Sequence, residues 1–367
     1  MHNLLLLSAY DGLSHQYWRT GLVDYLAAAA PEFAVTVVTL PARHFSWRQR
    51  GNSLSFAMKE ELQRDFDLVI ATSMTDLSAL RGLNRQIAGV PALVYFHENQ
   101  FAYPDQVPQG LLERQLTSIY TAISGDWLFF NSRYNFETFI EGAGQLLARM
   151  PDHVPKGIAA LIRQKSSLVP VALELLETLN KNISGNPLRI VWNHRWEHDK
   201  GPARLKEIVE GLLASGCDFR FSLLGQQFGT HPWEFDQIVA VLEAAGRLGE
   251  LGFKEDRQAY LNSLANHDVV LSTAEQEFQG LAVQEAIACG CVPVVPNALC
   301  YPEYVPSQLR YDSAGEAVDI LRQAVSIKPL DLSEYGWEHV GPLWLDRLKQ
   351  MISEKVMRHT DTYQKFP

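Results

Sequence analysis

The segment from Glu277 to Glu285 combines residue types that suit the binding of a phosphorylated sugar. Its sequence, Glu-Phe-Gln-Gly-Leu-Ala-Val-Gln-Glu, predicts a turn at Gly280 and a short helix that starts at Leu281. The backbone amides at Gly280 and Leu281 would face an anion, because the N-terminus of a helix is the positive end of its dipole. The pattern predicts a nucleotide diphosphate sugar site, with Glu277 on the transferred sugar and Glu285 on the nucleotide ribose.

Two cations lie farther upstream, after the apolar run Leu188–Trp192. Arg195 and Lys200 are five residues apart, and Pro202 favours the start of a helix directly after them. Two cations at the end of one strand would neutralise a departing diphosphate. We therefore expect Arg195 and Lys200 to be catalytic, together with Glu277.

The Arg-Lys pair and the later Glu pair resemble the C-terminal half of retaining GT-B glycosyltransferases, the group that includes glycogen and sucrose synthases. The resemblance implies an α/β fold, in which two Rossmann-like, doubly wound parallel-sheet domains face a cleft. It also implies retention of configuration, with the leaving diphosphate taking the acceptor proton. No Asp-x-Asp motif occurs in a suitable loop, so we expect no metal and no other cofactor.

The elements that must position these residues alternate along the chain. Apolar runs alternate with amphipathic segments, which is typical of parallel sheets covered by helices. The predicted strands are 3–8, 34–39, 68–71, 92–96, 127–131, 188–192, 220–224, 269–272 and 292–295. The predicted helices of the first half are 15–30, 53–64, 75–84, 110–124 and 135–147.

A segment with four prolines, from Pro151 to Pro187, separates the two groups of elements. We predict an acceptor-binding domain at 1–167, a nucleotide-sugar domain at 168–341 and a final helix at 342–367 that crosses back to the first domain. Leu168–Ala172 is interpreted as the entry strand of the second domain.

The first turn of the chain, Tyr10–His15, lacks the G-x-G-x-x-G fingerprint of dinucleotide-binding proteins, which argues against a dehydrogenase. It also lacks the Gly-Gly that is frequent there in the glycosyltransferases. The resemblance implies that Ser14 and His15 approach the donor. Segments 224–228 and 252–254 are expected near the base, without a residue that selects guanine over uracil.

Polar residues follow the predicted strand 92–96, where they would bind the acceptor. His97, Glu98 and Asn99 stand in sequence there, an unusual choice for a simple turn. The family has a His at the corresponding strand end, near the reacting sugar, and that role is carried to His97. Glu98 and Asn99 are expected to contact the acceptor.

A basic and aromatic segment follows the second predicted strand. Arg43, Trp47, Arg48 and Arg50 lie within eight residues, which is typical of contact with unpaired nucleic acid: arginines pair phosphates and the indole stacks on a base. A solvated loop with a tethering Trp is the alternative. Arg133, after the fifth strand, would extend the predicted surface.

Three motifs together carry a closer resemblance: His-Glu-Asn-Gln-Phe-x-Tyr-Pro from His97, Trp-Arg-x-Arg from Trp47, and Trp-x-His-Arg-Trp-Glu-His-Asp-Lys from Trp192. They are similar to the tRNA-queuosine mannosyltransferases. This resemblance implies transfer of α-mannose from GDP-mannose to the cyclopentene diol of queuosine, at the anticodon wobble position of tRNA-Asp. The residues alone indicate only a nucleotide-sugar transferase with a basic aromatic segment.

Composition limits the alternatives. The net charge of −10 argues against a protein that coats nucleic acid, although most of the acidic excess lies after residue 170. No apolar run is long enough for a membrane span, no signal peptide is recognised, and four cysteines lack metal spacing. We expect a cytoplasmic enzyme and infer no protein partner. A glycan, lipid or protein acceptor remains an alternative, as does an inert sugar-nucleotide or RNA-binding protein.

Overall fold

The structure is a computed structural model that describes residues 1–102, 110–175, 186–227, 229–324, 327–328 and 330–364. The chain divides into two compact units. Unit 1 consists of Met1–Ala172 and Trp337–Pro367, and unit 2 of Leu173–Gly336. The divisions lie a few residues from the predicted boundaries at 167 and 341, and the chain after Trp337 belongs to unit 1.

Unit 1 is built on a six-stranded sheet in which every pair of neighbours is parallel, in the order β2-β1-β3-β4-β5-β6. Its strands are β1 (His2–Asp11), β2 (Phe33–Pro41), β3 (Leu68–Thr72), β4 (Ala92–Phe96), β5 (Trp127–Phe130) and β6 (Ser166–Leu168). Its helices are α1 (Leu13–Ala29), α2 (Phe45–Ala57), α3 (Leu77–Leu83), α4 (Leu111–Ser124), α5 (Arg133–Ala148), α6 (Ile158–Gln164) and α12 (Trp337–Gln364).

The segment after β2 is a helix, which corrects two predictions. Residues 45–57 form α2, whereas the sequence indicated a basic loop followed by a helix at 53–64. Asn52 stabilises the helix by tertiary hydrogen bonds: its amide group donates to the carbonyls of Arg48 and Met74, and its side-chain oxygen accepts from the Asp76 amide. These contacts offset the low helix propensity of Gly51 and Asn52.

The sequence predicts that Leu168–Ala172 is the entry strand of the second domain, and this prediction is wrong. Ser166–Leu168 forms β6, the edge strand of the first sheet, and pairs with β5. The next residue continues this attachment, because the Val169 amide donates to Phe130 and the Val169 carbonyl accepts from the buried Tyr95 hydroxyl. The chain therefore leaves unit 1 after this segment.

Unit 2 repeats the architecture with a second parallel sheet, in the order β12-β11-β10-β7-β8-β9. Its strands are β7 (Leu188–Trp192), β8 (Phe219–Leu224), β9 (Leu248–Gly252), β10 (Val269–Leu271), β11 (Val292–Pro296) and β12 (Arg310–Tyr311). Its helices are α7 (Pro202–Ala214), α8 (Glu234–Ala244), α9 (Arg257–Ala265), α10 (Leu281–Ala288) and α11 (Ala314–Gln323).

The strand order of each sheet locates a binding region. In unit 2, the chain winds outward from β7 through β8 and β9, then returns to place β10 on the other side of β7. Ligands of open parallel sheets bind beyond the carboxyl ends of the strands, where the winding reverses. In unit 2 these are the segments after β7 and β10, and in unit 1 they are the segments after β1 and β3.

Helix α12 is anchored in unit 1 by one indole. Trp344 is 0% exposed, and its ring lies 5.8 Å from Trp18, 5.2 Å from Tyr95 and 4.9 Å from Phe129, measured between ring centroids. Burial of an aromatic of this size among other rings stabilises a fold by several kcal/mol. The last described helix is therefore part of the core of unit 1.

Replacing Trp344→Ala should lower the free energy of unfolding by about 3–5 kcal/mol, because the cavity cannot collapse between three rigid rings. The matched control is Leu343→Ala at the neighbouring position, where the side chain is 47% exposed. Urea unfolding followed by circular dichroism measures both. Equal stability of the two variants would show that α12 is not anchored by this contact.

Candidate donor and acceptor sites

The segment after β7 in unit 2 is tied to the segment after β10. The Trp192 indole donates to the Thr273 hydroxyl at 3.0 Å, and this hydroxyl donates to the Lys200 carbonyl at 2.7 Å. Gly201 has a φ of +63° and lies so close to the Thr273 carbonyl that a Cβ would collide with it. The two segments are therefore held together before any ligand contact is made.

Lys200 is a buried cation at this junction. Its ammonium lies 2.9 Å from the Gln276 carbonyl, 3.3 Å from the Glu277 carboxylate and 3.1 Å from the Asp199 carboxylate. Burial alone would lower the pKa of Lys200, but the attraction of Glu277 and Asp199 outweighs it, and the pKa is raised. Lys200 is therefore charged at neutral pH, as a diphosphate partner must be.

The Glu277 carboxylate lies directly before α10. It accepts from Lys200 and from the amides of Phe278 and Gly280. Burial by itself would raise the pKa of Glu277, but Lys200 and these hydrogen bonds lower it. Two of the predicted catalytic residues, Lys200 and Glu277, thus form one ion pair at the start of α10.

Gly280 begins α10 in the left-handed conformation, with a φ of +78°. A Cβ at this position would collide with the hydroxyl of Tyr304, so the close approach also requires glycine. Leu281 is the first helical residue, as predicted, and the amides of this first turn have no partner inside the helix. An anion can therefore approach the backbone here.

Arg195, the second predicted cation, is half-exposed and pairs with Glu197 at 3.0 Å. Exposed ion pairs of this kind contribute little free energy, so the guanidinium can turn toward a ligand at small cost. Arg195 lies in the same inter-element segment as Lys200, but it is not part of the buried ion pair.

Glu285 is held by two residues that the sequence did not indicate. Arg257 donates to the Glu285 carboxylate at 2.6 Å, and the Tyr260 hydroxyl donates to the same carboxylate at 3.2 Å. Burial raises the pKa of Glu285, and Arg257 opposes this rise. Both partners lie in the first turn of α9, and such a distant contact leaves no local pattern in a sequence. The role of Glu285 on the ribose stays a prediction.

In unit 1, His15, Glu98 and Ser73 meet beyond the carboxyl ends of the central strands. One Glu98 oxygen lies 3.3 Å from His15 Nε2, and the other accepts from the Ser73 hydroxyl at 2.9 Å. The other ring nitrogen of His15 donates to the Tyr10 carbonyl. Burial lowers the pKa of His15, but Glu98 and Tyr10 outweigh this effect and raise it. This cluster lies where the winding of the sheet reverses.

His97 lies against the cluster as a neutral imidazole. Its ring centroid is 4.1 Å from that of His15, and its edges face the rings of Trp18 and Tyr95. Burial and then the charge of His15 place the pKa of His97 well below its ordinary value. His97 is suited to hydrogen bonding without a charge.

The other predicted residues of this region differ in accessibility. Ser14 is exposed in the first turn of α1. Asn99 is buried, and its side chain bonds to Asn135, Thr138 and the amides that follow it, so it shapes the turn after β4. Asn99 reaches an acceptor only if this turn rearranges. Tyr103, Pro104 and Phe228, from the motif and the base segments, lie outside the described residues.

The predicted acceptor arginines surround the start of α2. Arg43 is exposed, Arg48 donates to the Pro41 carbonyl at 3.3 Å, and Arg50 donates to Asp76 at 3.3 Å and Thr117 at 2.9 Å. Trp47 is 54% exposed and packs over Gly51. Arg43, Trp47 and Arg50 are exposed and Arg48 is partly buried, but the two partners of Arg50 hold its guanidinium in place.

Arg114 of α4 belongs to the same surface, although the sequence analysis did not include it. Its guanidinium lies 5.2 Å above the ring of Phe45, the first residue of α2. Arg133 is exposed at the start of α5 and helps to lower the pKa of Glu137. A helix-spaced arginine facing another helix gives no signal in a linear motif search, which explains the omission of Arg114.

Two other kinds of feature are absent from the described part of the chain. No group of three or more His, Cys, Asp or Glu side chains there is placed to hold a metal ion. No helix within the described ranges is long and apolar enough to cross a membrane.

Known relatives identify the family. The model of the tRNA-queuosine alpha-mannosyltransferase N-terminal family matches residues 3–173. A Drosophila melanogaster protein named tRNA-queuosine alpha-mannosyltransferase is 32% identical over 324 residues, which cover 85% of this chain and 84% of the relative. The chain belongs to the tRNA-queuosine alpha-mannosyltransferase family. The resemblance that three motifs indicated is thus confirmed.

Solved structures share the fold of this family member at low identity. Anabaena HepE, in complex with UDP and glucose, is 15% identical with a TM-score of 0.62, over 99% of this chain and 100% of that one. Sucrose-phosphate synthase from Thermosynechococcus elongatus is 13% identical with a TM-score of 0.65, over 96% and 100%. These likenesses confirm the predicted GT-B fold with two Rossmann-like parallel-sheet domains.

Replacing Lys200→Ala should reduce turnover by a factor of about 100, equivalent to about 3 kcal/mol of lost charge stabilisation. It should also weaken binding of GDP, which calorimetric titration measures. Lys206→Ala is the matched control, because Lys206 lies on the neighbouring helix α7 and pairs with Glu210 on its surface. Wild-type turnover in Lys200→Ala would refute the diphosphate assignment.

Replacing Trp47 and Arg48 together by Ala should raise the KM for tRNA, because one stack is worth about 1–3 kcal/mol and a phosphate contact is also lost. GDP binding and slow hydrolysis of the donor should not change. The control removes an exposed Trp and an exposed Arg from unit 2, as Trp233→Ala with Arg322→Ala. If both double variants saturate with tRNA as the wild type does, the start of α2 has only a structural role.

Proposed function

We propose that this chain transfers α-mannose from GDP-mannose to queuosine at the wobble position of tRNA-Asp, with retention of configuration. The observation that carries the transfer chemistry is the buried Lys200–Glu277 pair at the start of α10. The acceptor is supported by the relative, which is named for mannosylation of tRNA queuosine. Donor base, sugar and tRNA are the parts of this proposal that rest on the family.

In the donor half, the mannose C1–O bond to the diphosphate breaks and negative charge develops on the leaving oxygen. Lys200, Arg195 and the first amides of α10 stabilise this charge. Glu277 then exchanges part of its contact with Lys200 for hydroxyls of the sugar. The nucleotide extends toward Glu285, whose carboxylate Arg257 keeps in place for the ribose.

In the acceptor half, one hydroxyl of the cyclopentene diol attacks C1 from the face that the diphosphate leaves. Its proton passes to the departing phosphate oxygen, so the new C–O bond forms and no charge is left on the acceptor. His97, neutral and buried, hydrogen-bonds near the reacting sugar, while His15 and Ser14 approach the donor. Glu98 and Asn99 position the acceptor.

The tRNA contacts are assigned to the surface around α2. Trp47 stacks on an anticodon-loop base, and Arg43, Arg48, Arg50 and Arg133 contact phosphates. Few phosphate contacts imply a shallow salt dependence, since each neutralised phosphate adds to the slope. The same surface has Arg114 at its edge. No protein partner is part of the proposal, and a cytoplasmic location is proposed because the tRNA acceptor is found there.

No metal is assigned a role. The charge of the leaving diphosphate is met by Lys200, Arg195 and helix α10, so the reaction does not require a divalent cation for this purpose. Metal-independent transfer is therefore part of the proposed mechanism.

The deciding experiment incubates the protein with GDP-mannose and bulk tRNA, followed by nucleoside mass analysis. We expect a hexose-bearing queuosine from tRNA that contains queuosine, none from tRNA of cells that lack it, and the same yield in excess EDTA. Lys200→Ala in the same assay controls for contaminating enzymes. Free queuosine nucleoside should be a poor acceptor, because it lacks the phosphates that the arginines hold.

Three other results of this experiment would each contradict one part of the proposed function. Equal mannosylation of tRNA lacking queuosine would remove the acceptor assignment and favour a different acceptor. Loss of activity in EDTA with rescue by magnesium would remove the metal-free mechanism. Binding of GDP-mannose without turnover of any acceptor would indicate an inert sugar-nucleotide protein.

A further inference from the structure

His194 is a buried histidine in the donor half to which the mechanism above assigns no role. Its side chain is 4% exposed, and its Nε2 atom has no hydrogen-bond partner within the described part of the chain. Native proteins rarely leave a buried polar atom unpaired, so each such atom needs a physical explanation. The position of His194 favours one explanation, which is that its Nε2 atom contacts a bound ligand.

The backbone of His194 is fixed beside the diphosphate-binding elements. Its carbonyl lies against Gly225, where φ is +156° and a Cβ would collide with it. The ring packs edge-on against Trp192, with centroids 5.2 Å apart. Trp192 in turn bonds to Thr273, which bonds to the Lys200 carbonyl. His194 therefore belongs to the same rigid junction as the buried cation.

The charged groups that act on His194 are the groups of the donor site. They lie on both segments of the junction: Arg195, Asp199 and Lys200 after β7, and Glu277 after β10. Burial and then the charge of Lys200 lower the pKa of His194 to about 4, although the carboxylates oppose this. The imidazole is therefore neutral at physiological pH and can still donate one hydrogen bond.

A second unpaired polar atom lies at the start of α10. The Tyr304 hydroxyl is buried, has no hydrogen-bond partner among the described residues, and lies against Gly280 at the start of α10. Two unpaired groups that can donate a hydrogen bond, the His194 imidazole and the Tyr304 hydroxyl, thus belong to segments beside a buried ammonium and a helix N-terminus, which already favour an anion.

We propose that His194 is a donor-binding residue, whose neutral imidazole donates its Nε2 hydrogen to a diphosphate oxygen of the nucleotide sugar. The inference rests on the nucleoside-diphosphate part of the proposed function and is independent of the acceptor. A neutral donor adds a hydrogen bond without placing a third positive charge beside Lys200 and Arg195. Its strength is greatest when charge develops on the leaving oxygen.

This contact has a pH signature that a structural histidine lacks. A bound diphosphate favours the protonated form of His194, so the pKa must rise on binding. The complex then holds more protons than the free protein, and binding must strengthen as the pH falls toward the pKa. Protonation of the phosphate itself, near about pH 6, affects every variant alike and cancels in a comparison.

The test measures binding of GDP and of inorganic pyrophosphate by calorimetric titration, near neutral pH and at about pH 5.5. We expect His194→Leu to bind both at least about tenfold more weakly, and His194→Gln, which keeps an N–H at similar reach, to stay within about threefold. Affinity should strengthen on acidification more in the wild type than in His194→Gln.

The matched control is His267→Gln in the same unit. His267 is equally buried, but both of its ring nitrogens are bonded, to the Ser263 carbonyl and the Ser222 hydroxyl, each at 2.7 Å. This variant should lower the melting temperature and leave the affinity for GDP unchanged. It thus separates the loss of a buried histidine from the loss of a ligand contact.

Wild-type affinity in a folded His194→Leu variant would overturn the inference and leave the proposed function intact. If His194→Leu does not fold, nitrogen NMR of the wild-type imidazoles decides. The His194 resonance is identified as the one that the spectrum of His194→Gln lacks. In the wild type this resonance must shift when GDP is added, and an unchanged position would overturn the inference. If the wild type binds neither GDP nor pyrophosphate, the proposed donor fails, and this inference fails with it.

Discussion

The buried ammonium of Lys200 is the interaction on which the candidate donor site of unit 2 depends. A charge of this kind is stable inside a protein only when it is paired and hydrogen-bonded. Glu277, Asp199 and the Gln276 carbonyl supply those partners, and in doing so they join the segment after β7 to the segment after β10. The contact therefore fixes the two sides of the winding reversal and leaves a cation at the start of α10. One interaction both shapes the site and provides its charge.

We propose that the two units use the same topology for different chemistry. In unit 2, the reversal between β7 and β10 gathers a cation, a helix N-terminus and carboxylates that suit a nucleotide sugar. In unit 1, the reversal between β1 and β3 gathers His15, Glu98 and the neutral His97. The exposed aromatic and basic residues also belong to unit 1, around α2. In the proposed transferase, unit 2 would hold the donor and unit 1 the acceptor.

Continuous buried strands were predictable from the sequence, and contacts between distant residues were not. Strands β4 and β7 match their predicted bounds, because every side chain of β4 and all but one of β7 are buried and apolar runs reveal such strands. Strand β9 was missed because it is a half-exposed edge strand with two glycines. Helix α2 was misplaced because Asn52 stabilises it through tertiary bonds. Glycine and cation spacing revealed Lys200 and Gly280, but the contact of Arg257 with Glu285 has no local sequence pattern.

The most direct test of the central claim is an experimental structure of the protein with GDP bound. We expect β-phosphate oxygens at hydrogen-bonding distance, about 2.7–3.1 Å, from Lys200 Nζ and from the first amides of α10. Glu277 should keep its place beside Lys200, and the ribose should face Glu285. A diphosphate bound away from Lys200, or a nucleotide bound elsewhere in unit 2 with the Lys200–Glu277 pair undisturbed, would contradict it.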